Sequence, residues 1–282
     1  MRKVFALVLL AVALMRAPLE AKKPPKPTPP PKPMRIGVFY DARSIATFGE
    51  RGLEHIGPLL VERQRVLFTN SGIDPNRYRW ELVYSAALPS DFAVEEFCDL
   101  SALLIRAVQD RRILEALKRH EIVIPFFLFQ CRDAKGRSGY TPILPRTAKD
   151  YTRNVLIGFA GLVTGAVYNV ETDQLWTDVA AHEFGHAAGG DHPVGQSSVD
   201  TRPVQGKPEF AWARGLLIPQ GPREHPLCDV MGVFDCIRQP YYSNTKIPGR
   251  GTPQADVARA IVLNWSRLTD DVPKTRERLL YK

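Results

Sequence analysis

Residues 182–192 read His-Glu-Phe-Gly-His-Ala-Ala-Gly-Gly-Asp-His. On a helix, His182 and His186 stand four residues apart and leave from the same face, close enough for both imidazoles to reach one metal ion. Glu183 is rotated about 100° from His182 around the axis, which places it beside such a metal as a catalytic base rather than as a ligand. Gly189 falls where the helix must stop and the chain must turn, a position that favours a left-handed conformation. The turn brings back His192 as the third ligand. Three neutral nitrogens suit Zn²⁺ better than Ca²⁺ or Mg²⁺, which prefer several oxygens. They also leave the fourth tetrahedral position open for water, whereas a structural site closes it with a Cys or His. One zinc ion so held would lower the pKa of a bound water from about 15.7 towards 7, and Glu183 would serve as the base for attack of that water on a peptide carbonyl.

Upstream, Arg35 to Tyr40 reads as a buried strand. Leu53, Ile56, Leu60 and Leu67 recur at helical spacing, so a helix is expected between Gly49 and Asn70. Trp80, Leu82, Tyr84 and Ala86 alternate with polar neighbours as a half-exposed strand does. A second helix runs from Leu100 to about His120. The apolar run Ile122 to Phe129 then predicts a central strand covered on both faces. Strand, helix, strand, helix, strand is the order of a sheet with crossover helices. Val155 to Asn169 holds more strand material, and an edge strand within Val155 to Ala166 is the expected place for an extended substrate to add as a strand. The helix carrying His182 is expected to start at Thr172 or Asp173 and to reach Ala188. Beyond Gly189 the chain is rich in proline until Thr252-Pro253, which opens a last helix through Trp265.

The 282-residue chain carries 38 Lys and Arg against 30 Asp and Glu, a net charge of +8. No helix-turn-helix, RNP-like or zinc-finger pattern accompanies that excess, so nucleic acid is not an expected partner. Arg2 and Lys3 followed by the apolar run Val4 to Met15 read as a signal peptide or signal anchor over 1–21; the run is too short to span a bilayer as a relaxed helix. Residues 22–33, nearly all Lys and Pro, form a stiff basic spacer, and 34–282 is the functional domain. An exported chain, whether secreted, periplasmic or at the cell surface, is expected to use its four cysteines as two disulfides. Of the three pairings, Cys228 with Cys236 is the first choice because it closes a short loop around Met231. Cys98 with Cys131 would follow.

The zinc signature with Gly189 resembles that of the metzincins, and Cys228-Asp229-Val230-Met231-Gly232 resembles their Met-turn, which places Met231 as an apolar floor under the histidines. Pro240-Tyr241-Tyr242-Ser243-Asn244 and the segment Ala255 to Arg259 resemble the tail of bacterial reprolysin-like metallopeptidases. That resemblance implies that Tyr241, Tyr242 and Ser243 line a substrate pocket. The chain departs from the family at Pro193, which stands where an Asp usually follows the third histidine, so bracing of the site falls to Asp191 or Asp229.

The expectation is therefore an α/β, metzincin-type (zincin-like) fold. It has a twisted mixed sheet with crossover helices above the cleft, an active-site helix, and a small irregular C-terminal subdomain with one helix. The expected activity is that of a zinc endopeptidase acting on peptide or protein substrates. The alternatives are a catalytically silent zinc-binding scaffold or adhesin, and a zinc amidase acting on cell-wall components.

Overall fold

The computed structural model describes residues 29–92, 94, 99–129, 141, 159–160, 168–169, 174–194, 196, 210–220, 225–233 and 236–280. The expected signal segment and the spacer up to residue 28 lie outside these, as does the Cys98–Cys131 pairing. Residues 31–282 form one compact unit.

Strand β1 (Met34–Tyr40) leads into helix α1 (Ala42–Asn70), which Asp41 caps by accepting a hydrogen bond from the Ser44 N–H. The helix begins ahead of the expected start because Asp41 supplies the acceptor that the first turn needs. Gly49, expected near the start, instead lies inside it at φ 69°, where two helical segments meet at a kink. After β2 (Trp80–Ala87) come α2 (Leu100–Gln109) and α3 (Arg111–Arg119). The single helix expected here is two, because Asp110 leaves the helical conformation and its side chain caps the second by accepting from Arg112 N.

Strand β3 (Ile124–Leu128) and the short β4 (Phe159–Ala160) complete a four-stranded sheet in the order β2-β1-β3-β4. All three pairings are parallel, so the expected mixed sheet is corrected to a parallel one among the described residues. The connections β1–α1–β2 and β2–α2–α3–β3 are crossovers, and crossovers return a strand in the same direction. Among the described residues, the edge strand expected within 155–166 is represented by β4, running parallel to β3.

The order also explains the layers. The chain moves outward from β1 to β2, then back past β1 to β3. Right-handed crossovers in opposite directions place their helices on opposite faces of the sheet. Accordingly Met34, Ile36, Val38, Ile124, Phe126 and Leu128 pack with α1 in one core, while Phe39, Phe127 and Phe129 pack with α2 and α3 in another. Burial of β1 and β3 on both faces is what their continuous apolar sequences require.

A two-stranded antiparallel ribbon, β5 (Tyr168–Asn169) and β6 (Gln174–Leu175), precedes helix α4 (Trp176–Ala187). Helix α4 therefore begins at Trp176 and not at Thr172 or Asp173. A small three-stranded sheet follows: β7 (Leu217–Ile218), β8 (Leu227–Cys228) and β9 (Ile237–Arg238). The last helix, α5 (Val257–Ser266), is capped by Asp256 rather than opened at Thr252-Pro253. It passes through a π-helical turn, Arg267–Asp271, into α6 (Val272–Leu280), so the C-terminal part holds more than the one helix expected. No helix among the described residues is long and apolar enough to cross a membrane.

Trp265 locks α5 against α1 and α4. It is buried, its ring lies 5.9 Å from Phe68 and 6.4 Å from Phe184, and its Nε1 donates to Lys32 O at 2.8 Å. Truncating a buried Trp typically costs about 3–5 kcal/mol. Trp265→Ala should lower the unfolding free energy by about that amount, read from urea midpoints at constant m-value. A loss below about 1 kcal/mol would show that α5 is not part of the cooperative core.

Candidate metal centre

Helix α4 is held before its histidines come into play. Its first-turn Asp178 receives Arg63 of α1 in a two-point ion pair, Nε to Oδ1 at 2.5 Å and Nη2 to Oδ2 at 3.1 Å. A carboxylate in that turn also suits the positive end of the helix dipole. Val179, Ala180, Phe184 and Ala187 are buried in the α1 core. Tyr242 Oη donates to Ala181 O at 2.8 Å, while Gln64 Nε2 donates to Tyr242 Oη at 3.1 Å.

The helix ends in a Schellman motif: Gly190 N donates to Gly185 O at 2.8 Å and Gly189 N to His186 O at 2.9 Å. Gly189 takes φ 91°, which a side chain would resist. The chain thus reverses within two residues and returns His192 to the face that carries His182 and His186. Asp191 braces this return. Its Oδ1 accepts from His192 N at 2.8 Å, its Oδ2 lies 3.1 Å from Arg214 Nη1, and its backbone pairs with Ala213 and Gly215.

The three Nε2 atoms converge, with His182 to His186 at 3.0 Å, His186 to His192 at 3.0 Å and His182 to His192 at 3.2 Å. The other ring nitrogens decide what this means. His182 Nδ1 lies 2.9 Å from Val230 O, and His186 Nδ1 lies 2.9 Å from Gly190 O. A carbonyl can only accept, so both Nδ1 atoms carry the proton and both Nε2 atoms present lone pairs. Two lone pairs facing each other at 3.0 Å repel unless a cation lies between them. A tetrahedral metal bound at 2.0–2.1 Å sets its nitrogens roughly 3.3 Å apart, close to the observed triangle. Burial lowers the pKa of all three imidazoles, that of His192 to about 3, so they are kept neutral and fit to ligate. The residues present therefore fit a metal ion, and His182, His186 and His192 form the cluster that can coordinate it.

Glu183 is buried beside His182 and stands outside the converging group. Met231 is fully buried and lies against α4 at Gly185, where an added methyl would run into its Sδ. Asp229 holds the turn around it, accepting from Met231 N at 3.1 Å and from Ser243 N at 2.8 Å. The Cys228–Cys236 disulfide closes the loop that contains Met231.

Tyr241, Tyr242 and Ser243, expected to line a pocket, are buried parts of the scaffold. Tyr242 Oη is engaged by Ala181 and Gln64. Ser243 Oγ donates to Arg214 O and accepts from Val257 N. The hydroxyls of Tyr242 and Ser243 serve the joints between α1, α4, α5 and the loop braced at Arg214. Sequence reasoning missed Arg238, whose guanidinium Nε donates to Gly232 O at 2.7 Å and whose charge acts on all three histidines.

No family model matches the sequence, and no curated protein matches it. Among solved structures the chain is similar to one titled "Structure of a chaperone-substrate complex", with a TM-score of 0.60 and 16% identity over 86% of this chain. The match covers 35% of that chain, so the present one spans about a third of its length. At such identity the likeness concerns the fold alone. It is a likeness to a chaperone–substrate complex and not to a metzincin peptidase. Together with the parallel sheet, it overturns the metzincin assignment. The endopeptidase activity and the protease class that this assignment carried fall with it.

Two outcomes test the geometry. Gly185→Ala should destabilise the protein by about 1–3 kcal/mol, as overpacking against Met231 demands; an unchanged melting temperature would mean that the turn does not press on α4. Burial pushes the Asp229 carboxyl up to about 7, above its ordinary 3.8. The native state therefore keeps this proton where the unfolded chain has lost it. The group's penalty is absent below about pH 4, grows as pH rises and levels off above about 7. Between pH 8 and 6 at saturating zinc, wild-type stability should rise by up to about 1.4 kcal/mol per unit through this group. Asp229→Asn should flatten that slope, and an identical pH profile in urea unfolding would contradict it.

Proposed function

We propose that the chain is a zinc-binding scaffold that engages a polypeptide partner without turning it over. The observation that carries this reading is the lone-pair contact between His182 and His186 at 3.0 Å, which calls for a cation. Zinc is the ion that three neutral imidazoles suit best. When bound, it supplies one open ligand position and a local double positive charge. The chain's own residues do the rest. Val230 O and Gly190 O orient two of the rings by accepting their Nδ1–H groups, Asp191 fixes the loop of the third, and Met231 closes the floor.

A polypeptide partner is supported by the fold likeness to a chaperone–substrate complex. A silent centre is supported by the same likeness, which is to a chaperone–substrate complex. The Cys228–Cys236 disulfide fits an oxidising location outside the cytosol, in keeping with the N-terminal run read as an export signal.

The chain should bind one zinc per molecule by elemental analysis, and should retain an unfolded polypeptide such as reduced casein only when zinc is present, leaving it intact. His186→Ala should abolish both metal and binding. Cleavage of the casein that Glu183→Gln removes while zinc is retained would overturn the scaffold reading.

A further inference from the structure

Arg238 is a polar group that the metal centre leaves unexplained. Its Nη1 is enclosed by protein yet has no hydrogen-bond partner among the described residues. A guanidinium N–H buried without an acceptor costs several kcal/mol in principle, so a position that tolerates one calls for an acceptor from outside. The side chain is not free to find another place. Nε is fixed by Gly232 O at 2.7 Å, and Arg238 stands in β9 opposite Cys228 of β8.

The same short strap ties it to the metal ligands. Val230 O holds His182 Nδ1, Met231 lies against α4, and Gly232 O holds Arg238. The guanidinium charge is felt by His182, His186 and His192 alike. The charges around it do not balance. Three neutral imidazoles leave a divalent metal its full charge, and Arg238 adds another. Of the nearby carboxylates, Asp178 is held by Arg63 and Asp191 by Arg214. Asp229 accepts from the backbone N–H groups of Met231 and Ser243. Glu183 brings one further negative charge against three positive ones, and a buried excess of positive charge demands a further anion.

We propose that Arg238 Nη1 is half of a carboxylate-binding site that the three-histidine centre completes. A carboxylate is the planar, two-oxygen anion that a guanidinium edge receives best while its second oxygen stays free for a metal. A polypeptide offers this group at its C-terminus and on acidic side chains. The inference rests on the zinc-scaffold reading and specifies what that scaffold holds.

The test uses the zinc-loaded full chain and a short N-acetylated peptide in two forms, with a free C-terminal carboxylate and with a C-terminal amide. Calorimetry should show the acid binding at least about tenfold tighter than the amide, the scale of one charge-assisted hydrogen bond. Arg238→Met should erase that preference with zinc stoichiometry unchanged, and Arg238→Lys should restore part of it. The Lys variant alone decides the matter if the Met variant fails to fold. An amidated peptide bearing a glutamate, and acetate alone, identify the source; binding of either with the same dependence on Arg238 supports the site. Equal affinity for acid and amide in the wild type, or acid binding unaffected by Arg238→Met while zinc is retained, would overturn it, as would inorganic phosphate binding more tightly than any carboxylate. A wild-type chain that takes up no zinc would instead refute the scaffold reading.

Discussion

The repulsion between two imidazole nitrogens is the constraint on which the centre of this molecule depends. His182 and His186 donate their Nδ1–H groups to backbone carbonyls, so their Nε2 lone pairs face each other. The fold holds them there from several sides. Arg63 and Tyr242 pin α4 to its place. The Schellman turn returns His192, and the strap at Val230 fixes one ring from below. A site so arranged without a cation would store strain, whereas with one the same arrangement is preorganised for binding.

The parallel sheet matters to this mainly as a platform. Its crossover helix α1 lies on the same face as α4 and α5, and those three helices share one core around Phe68, Phe184 and Trp265. Asn264 of α5 donates to Ala188 O at the end of α4, so the turn that positions His192 is anchored to the C-terminal helix as well. Stability of the core and geometry of the metal cluster are therefore coupled through α4.

What could be read from sequence was what depends on short spacing. The i, i+4 histidines, the glycine that reverses the chain and the eight-residue loop closed by Cys228 and Cys236 are local facts, and each lies in the structure where its spacing put it. Helix boundaries were less legible, because Asp41, Asp110 and Asp256 act as caps only through neighbours whose conformation is set by packing. The family resemblance misled where it reached beyond the motif. A short signature constrains a metal's ligands, but it does not fix the direction of strands far upstream or the work done at the metal. Tyr242 and Ser243 resembled pocket residues, yet their hydroxyls join α1, α4 and α5. Arg238 carried no readable signal, since its meaning comes from Gly232 and from histidines about fifty residues earlier in the chain.

The central claim is a metal held by three histidines with its fourth position open. X-ray absorption at the zinc edge of the loaded protein tests it most directly. The account predicts three imidazole nitrogens at about 2.0–2.1 Å and one exchangeable light atom. A sulfur scatterer near about 2.3 Å, or a fourth imidazole closing the shell, would contradict it.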